Sequence, residues 1–266
     1  MQKLVFVDSD GTLKDNKGNI SDKTKIVLKK LNEKGVEVII TTGRPRYHAL
    51  RVKNASNASR YVISSNGAEV YDDETKNIIY AQYIDIEDIL KIYDIANKYE
   101  SRFIMTVENK EVVTDCVRNE NQILLNQDIA EFLNNNKVKQ IFIRSESREN
   151  IKKTYDEINK IENVKIVNES SFFTDGIVEE KGIWFSVGHK LSNKGIAIKS
   201  LCNHLNVSLE NTYGFGNDYN DIKMFETVNH SIVMNNANDD LKNRAKIIAK
   251  SNDEDGVASF LEELFL

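Results

Sequence analysis

Proline is almost missing from this chain: Pro45 is the only one in 266 residues, and glycine stops at 12. That excludes collagen-like and proline-rich extended architectures, which need one or both in quantity. Two cysteines, Cys116 and Cys202, lie too far apart for a CxxC or zinc-ligand spacing. They read as reduced packing residues, which suits a cytoplasmic protein. Long apolar runs are absent as well. The first, Leu4-Val5-Phe6-Val7, is cut by Asp8, so a signal peptide is not expected, and nothing approaches a membrane span. No block of one charge sign stands out. The 36 Lys and Arg are finely mixed with 41 Asp and Glu, leaving a net charge of −5. Nucleic acid and membrane surfaces are therefore not expected partners.

What remains is globular material, with 40% hydrophobic and 29% charged residues, long enough for two modest domains. Leu4 to Val7 is a buried-strand run ended by an Asp- and Gly-containing turn. Ser21 then precedes a helix over Lys23 to Lys34, with Ile26, Val27, Leu28 and Leu31 on one face and Gly35 closing it. Val36 to Ile40 is a second buried strand. Thr42-Gly43 opens a helix through about Asn54, and Tyr61 to Ser64 is a third strand. Repeated strand-helix-strand units predict an α/β fold, a doubly wound, mostly parallel Rossmann-like sheet with helices on both faces.

The pattern changes after Tyr80. Helices are predicted over Ile84 to Tyr99, Asn119 to Asn135 and Ile151 to Ile161. Strands are predicted over Phe103 to Val107, Glu111 to Thr114, Val138 to Ile143, Val164 to Val167, Phe172 to Val178 and Ile183 to Val187. Such an order implies an inserted α+β module with an antiparallel sheet. Doubly wound signals resume with helices over Gly195 to Leu205, Asp221 to Thr227 and Val257 to Phe265, and strands over Thr212 to Phe215 and Ser231 to Met234. The expected division is a core of residues 1–82 and 187–266 with an insert over 83–186.

Asp8-Ser9-Asp10-Gly11-Thr12 follows the first strand directly. Ligands of open α/β sheets bind beyond the carboxyl ends of strands, so both carboxylates project where a substrate sits. Two carboxylates two residues apart can divide the labour, one attacking phosphorus and the other moving a proton. The plainer alternative is a polar turn that ends a strand. Thr42-Gly43-Arg44 ends the second strand and offers a hydroxyl and free amides to an anion, or simply an N-cap. Lys194 can neutralise a phosphate among acids, though a solvated surface lysine is the commoner case. Gly216-Asn217-Asp218-Tyr219-Asn220-Asp221 sets oxygen-bearing side chains beside a strand end, which suits Mg²⁺ or merely forms a polar turn.

In this order, the motifs resemble the haloacid dehalogenase-like hydrolases, specifically the Cof-type group with a large α/β (type IIB) cap. The resemblance spans essentially the whole chain. It rests on Asp8-Ser9-Asp10-Gly11-Thr12-Leu13, Thr42-Gly43-Arg44, Ser65-Asn66-Gly67-Ala68, Asn193-Lys194-Gly195, Gly216 to Asp221 with Met224, and Asn252-Asp253-Glu254-Asp255-Gly256-Val257. It implies that Asp8 forms an aspartyl-phosphate and that Asp10 is the general acid/base, with a raised pKa so that it starts protonated. Thr42, with Gly43 and Arg44, would bind the phosphoryl oxygens, and Lys194 would hold nucleophile and phosphate together. Mg²⁺ would be held by the Asp8 carboxylate, the Asp10 carbonyl and Asn217, with Asp221 nearby. Asn66 and Asn220 would lie near a small phosphorylated substrate such as a sugar phosphate or phosphorylated cofactor.

Three positions depart from that group. Ser9 replaces a bulky apolar residue, Asn235 in Met234-Asn235-Asn236-Ala237 replaces a glycine, and Asn217 replaces an aspartate. The last brings an amide oxygen without its charge. Two rivals therefore stand beside hydrolysis: phosphotransfer to an alcohol, as in a phosphomutase, and non-catalytic binding of a phosphometabolite.

Overall fold

Leu4, Val5, Phe6 and Val7 are fully buried, yet they serve two different cores. Val5 and Val7 pack with Val27, Leu28 and Leu31, whereas Leu4 and Phe6 pack with Ala197, Leu201 and Met224. Alternate side chains on a strand point to opposite faces, so a strand covered on both faces must be apolar throughout. The computed structural model describes residues 2–167 and 183–266. The chain divides into two units, residues 1–81 with 193–266, and residues 82–192.

The first unit is built on an eight-stranded sheet. Its strands are β1 (Lys3–Val7), β2 (Val36–Thr41), β3 (Tyr61–Ser64), β4 (Glu69–Asp72), β5 (Asn77–Ala81), β12 (Thr212–Gly216), β13 (His230–Met234) and β14 (Ile247–Ala249). Their spatial order is β14-β13-β12-β1-β2-β3-β4-β5, with every pair parallel except those that β4 makes with β3 and β5. Chain order runs outward from β1 through β2 and β3 on one side, and from β12 through β13 and β14 on the other. The β1/β12 junction is thus the switch point of the sheet, where the carboxyl ends of neighbouring strands leave a crevice. Ser21 caps α1 (Asp22–Glu33) by accepting from Thr24 N. Ile26, expected on the apolar face of this helix, is 55% exposed.

The second unit holds β6 (Arg102–Val107), β7 (Lys110–Val113), β8 (Gln122–Leu124), β9 (Val138–Ser145), β10 (Val164–Ile166) and β11 (Ile183–His189) in the order β10-β11-β9-β6-β7-β8. Its pairs are antiparallel except β7 with β8. Helices Ile86–Lys98, Ile129–Asn135 and Arg148–Ile158 cover one face through Ile89, Ile92, Leu133, Ile151 and Ile158.

Several expected boundaries change. The helix predicted over Asn119 to Asn135 splits, because Gln122 N turns back to Asn119 O and the next residues pair with β7. A shorter helix then begins at Ile129, capped by Asp128. The helix expected to open at Thr42-Gly43 begins at Arg46, after Pro45. Proline disfavours helical geometry in the residue before it, which is Arg44, and so delays the helix. The second junction falls at 192/193 rather than 186/187, since β11 belongs wholly to the second sheet. The β4–β5 hairpin went unread, and the strand expected over Phe172 to Val178 lies outside the described residues.

Candidate active site

Four adjacent strand ends, those of β12, β1, β2 and β3, deliver the polar residues. Asp8 follows β1 and is tied into the sheet by its amide, which donates to Phe215 O at 2.9 Å. Beyond it the chain makes one wide turn: Leu13 N donates to Asp8 O at 3.2 Å and Lys14 N to Ser9 O at 3.0 Å. Gly11 supplies the φ of +76° that the turn requires, and a β-carbon there would stand 2.5 Å from Asn217 Nδ2. The Asn217 side chain therefore lies directly on the Asp8 loop, where its Oδ1 accepts from Thr12 Oγ1 at 2.8 Å.

Lys194 is the first residue of the helix Lys194–Leu205, which Asn193 caps by accepting from Ile196 N. Its side chain is fully buried. Nζ lies 2.6 Å from Asp8 Oδ1 and 2.6 Å from Asp221 Oδ1. Gly67 lets this helix approach: its φ is +87°, and a β-carbon would come within 2.3 Å of the Asn193 main chain. Burial lowers the pKa of the Lys194 ammonium, but the Asp221 and Asp8 carboxylates outweigh it, so the group stays charged. Burial also pushes the Asp8 carboxyl up, to about 7, against the pull of Lys194 and with added repulsion from Asp221 and Asp10.

Asp221 bonds to the protein through both of its oxygens. Its second oxygen accepts the amides of Asn217 at 3.0 Å and Asp218 at 3.1 Å, while the first holds Lys194. With both oxygens committed to the protein, it anchors Lys194 and shapes the loop that carries Asn217.

Asp10 departs from expectation. Burial raises its pKa, but Arg44 and Lys14 overcome that and leave it below the usual carboxylate range. Arg44 Nε lies 2.9 Å from Oδ2 and Lys14 Nζ 3.1 Å from Oδ1. In this arrangement Asp10 is ionised, and Arg44 serves it. Lys14 was not singled out from the sequence; its spacing of four residues from Asp10 was the available signal.

Thr42 is buried at the end of β2, its amide donating to Ile63 O and its Oγ1 accepting from Arg44 N at 3.2 Å. Because the helix starts only at Arg46, Thr42 lies in the loop ahead of it and not at its first turn. Gly43 lies against Asn66, whose Oδ1 stands 2.7 Å from where a β-carbon would be. Asn66 has a left-handed backbone with φ of 55°, is 4% exposed, and accepts from Asn220 Nδ2 at 3.1 Å. The structure thus links Asp8, Lys194, Asp221, Asn217 and Thr12 as one set, Asp10 with Arg44 and Lys14 as a second, and Gly43, Asn66 and Asn220 as a third.

A further pair beneath the site was missed. Glu69 on β4 is fully buried and binds Arg46 through two bonds of 2.7 and 2.8 Å, while Ser64 Oγ donates to the same carboxylate at 3.2 Å. This fixes the first residue of the helix that follows Thr42 to Pro45. No spacing marks it, because strand and helix meet only in the folded chain.

Among the described residues, no three His, Cys, Asp or Glu side chains gather as metal ligands. The groups that the family resemblance implies as ligands are a carboxylate on Asp8, an amide oxygen on Asn217 and the main-chain carbonyl of Asp10. An all-oxygen set suits a hard cation. The charge balance agrees: the buried group of Asp8, Lys194 and Asp221 holds two carboxylates against one ammonium.

The sequence profile of the haloacid dehalogenase-like hydrolases matches residues 5–261. The chain belongs to that family. It is 26% identical over 264 residues to the 5-amino-6-(5-phospho-D-ribitylamino)uracil phosphatase of Bacillus subtilis, an alignment covering 99% of this chain and 96% of that protein. A haloacid dehalogenase-like hydrolase of Bacteroides thetaiotaomicron superposes with a TM-score of 0.84 at 20% identity, covering 100% of both chains. A subclass IIB sugar phosphatase superposes with a TM-score of 0.77 at 22% identity, covering 99% of each. The family is one of α/β cores with caps, as the two sheets here display. Among the described residues of this member, no helix is long and apolar enough to cross a membrane.

Proposed function

We propose that this phosphatase hydrolyses a small phosphorylated metabolite through an aspartyl-phosphate on Asp8, with Mg²⁺ as cofactor. The observation that carries the reading is Asp8 at the switch point of the sheet, with the fully buried Lys194 ammonium 2.6 Å from its oxygen. In the first step an Asp8 oxygen attacks phosphorus, the ester P–O bond breaks, and the leaving oxygen takes a proton from Asp10. In the second, water gives a proton to Asp10 and attacks phosphorus. The Asp8 O–P bond breaks, releasing phosphate and restoring the carboxylate. To act as an acid, the ionised Asp10 must first part from Arg44 and Lys14 and take a proton from solvent; a phosphate dianion competes with it for Arg44. Thr42 and Gly43 would meet the phosphoryl oxygens, while Asn66 and Asn220 would stand toward the rest of the substrate.

The residues that would hold Mg²⁺ are Asp8, through its carboxylate, Asp10, through its carbonyl, and Asn217, through Oδ1. When bound, the cation offsets the repulsion between a carboxylate nucleophile and a phosphate dianion. The names of two similar proteins, a phosphoribitylamino-uracil phosphatase and a sugar phosphatase, support a sugar phosphate or phosphorylated cofactor as substrate. A cytoplasmic setting belongs to the same reading, and both described cysteines are free thiols.

Phosphate release over a panel of sugar phosphates, nucleotides and phosphorylated cofactors tests the proposal. Turnover should appear with Mg²⁺, vanish with a chelator and return on adding the metal back. Full turnover after exhaustive chelation would remove Mg²⁺ from the mechanism.

A further inference from the structure

Two asparagines from the end of the chain reach back to the loop that carries Asp10. Asn236 Nδ2 donates to Gly11 O at 2.8 Å. The Asn236 side-chain oxygen accepts from Asn252 N at 3.1 Å, so the two residues are joined. Asn252 Nδ2 then donates to Lys14 O at 2.9 Å and to Asn16 Oδ1 at 3.1 Å. Both of those partners offer oxygen, which fixes the orientation of the Asn252 amide. Asn252 is 4% exposed, and Asp253 beside it accepts both the main-chain and side-chain nitrogens of Asn16.

These bonds fall at particular places. The turn over Ser9 to Leu13 is secured by its own backbone at Asp8 O and Ser9 O. Gly11, in its left-handed conformation, follows the peptide of Asp10, and Lys14 carries the ammonium that meets the Asp10 carboxylate. Asn236 and Asn252 therefore grip the carbonyls on either side of the turn's far end. Through one they set the peptides next to Asp10, and through the other the backbone of its lysine partner.

We propose that Asn236 and Asn252 are positioning residues for Asp10, holding the Asp10–Lys14 segment in register with Asp8. This rests on the reading of Asp8 and Asp10 as the catalytic pair. Such a lock costs little in substrate binding when lost, but it costs rate, because proton transfer and in-line attack tolerate little misplacement.

Asn236 is exposed, so Asn236→Ala opens no cavity and should fold. Asn252→Asp keeps the shape of the buried side chain while removing its donor. As a control, Asn238→Ala removes a comparable bond nearby, from Leu241 N to Asn238 Oδ1, without touching the loop. With p-nitrophenyl phosphate and Mg²⁺, Asn236→Ala and Asn252→Asp should lose at least about tenfold in kcat. KM and competitive inhibition by inorganic phosphate should stay within about twofold, and the control should keep its kcat within about twofold. Independently of turnover, the Leu13 and Lys14 amides of Asn236→Ala should exchange with solvent at least about tenfold faster. Unchanged kcat in both variants, an equal loss in the control, or unchanged amide exchange would each overturn the proposal. Should the wild-type protein release no phosphate from any substrate, the phosphatase reading falls on its own, and the exchange measurement still decides whether the two amides hold the loop.

Discussion

The two units treat charge differently. In the six-stranded unit, acids and bases meet as neighbours near the surface: Lys153 with Glu149, Lys152 with Asp156, Lys98 with Glu157, and Arg102 with Asp115. Each base faces one acid, and water screens most of the pairs. Such contacts contribute about 0–1 kcal/mol each. In the eight-stranded unit, Asp8, Lys194 and Asp221 come from three distant parts of the chain into a buried cluster with unequal signs. Burying unbalanced charge is expensive, so it persists where function demands it. Chemistry is found where the fold refuses to match its charges.

The largest expected effect comes from removing the nucleophile. Asp8→Asn should lower phosphate release by at least about a thousandfold, since an amide does not attack phosphorus. Stability should hold or rise, because one of two crowded carboxylates is gone. Measurable turnover in the purified variant would break the proposed mechanism.

Lys194→Met should be both inactive and destabilised by about 3–5 kcal/mol, as two buried carboxylates lose their shared cation. The double variant Lys194→Met/Asp221→Asn should recover much of that stability and none of the activity. Denaturant titration and phosphate release separate the two outcomes. Lys153→Met in the other unit, which removes only an exposed pair, should cost less than about 1 kcal/mol. A comparable loss in both units would dissolve the contrast between them.

How much of this was legible beforehand follows from where each interaction lives. Asp8, Thr42 and Asn217 stand in short motifs at the ends of apolar runs, where strand periodicity points to them, whereas Lys194 opens a helix and is marked only by the family motif Asn193-Lys194-Gly195. The parallel core was readable because continuous apolar runs mark strands covered on both faces. Tertiary partners were not readable. Beyond the four-residue spacing of Lys14, nothing near Asp10 in sequence says that Arg44 would help to ionise it, and nothing near Asp221 says that its second oxygen would be taken by two amides. The Asn119 to Asn135 segment misled because its few apolar residues fit a helix, while pairing with β7 decides the strand at Gln122 to Leu124. Asn236 and Asn252 stand in segments shared with the family but carry no assigned role until the fold brings them to Gly11 and Lys14.

A smaller effect concerns an acid at the far side of the first sheet. Burial raises the Asp72 pKa, but bonds from Arg60, Thr75 and the amides of Glu74 and Thr75 bring it down to about 2. Its ordinary value is about 3.9, so the folded state favours the ionised form. The stabilisation is complete above pH ~4 and is lost as pH falls from there through about 2. Asp72→Asn should therefore cost about 1–3 kcal/mol at pH 7, and the gap from wild type should close over that acid range. A gap independent of pH would show that Asp72 acts by shape alone.

The smallest effect returns to the second unit. Ser186 is 1% exposed on β11, and its hydroxyl has no hydrogen-bond partner among the described residues. Its neighbours Phe185 and Val187 point into the helix-covered core, so Ser186 points to the opposite face of the sheet. A buried hydroxyl without a partner carries an uncompensated desolvation cost, and removing it should be neutral or favourable. Ser186→Ala should leave stability unchanged or raise it by up to about 1 kcal/mol. Release of phosphate from p-nitrophenyl phosphate, which offers little beyond the phosphoryl group to recognise, should stay within about twofold. If stability instead falls by more than about 1 kcal/mol, the hydroxyl is bonded in solution, and the second unit matches its polar groups as fully as its charges.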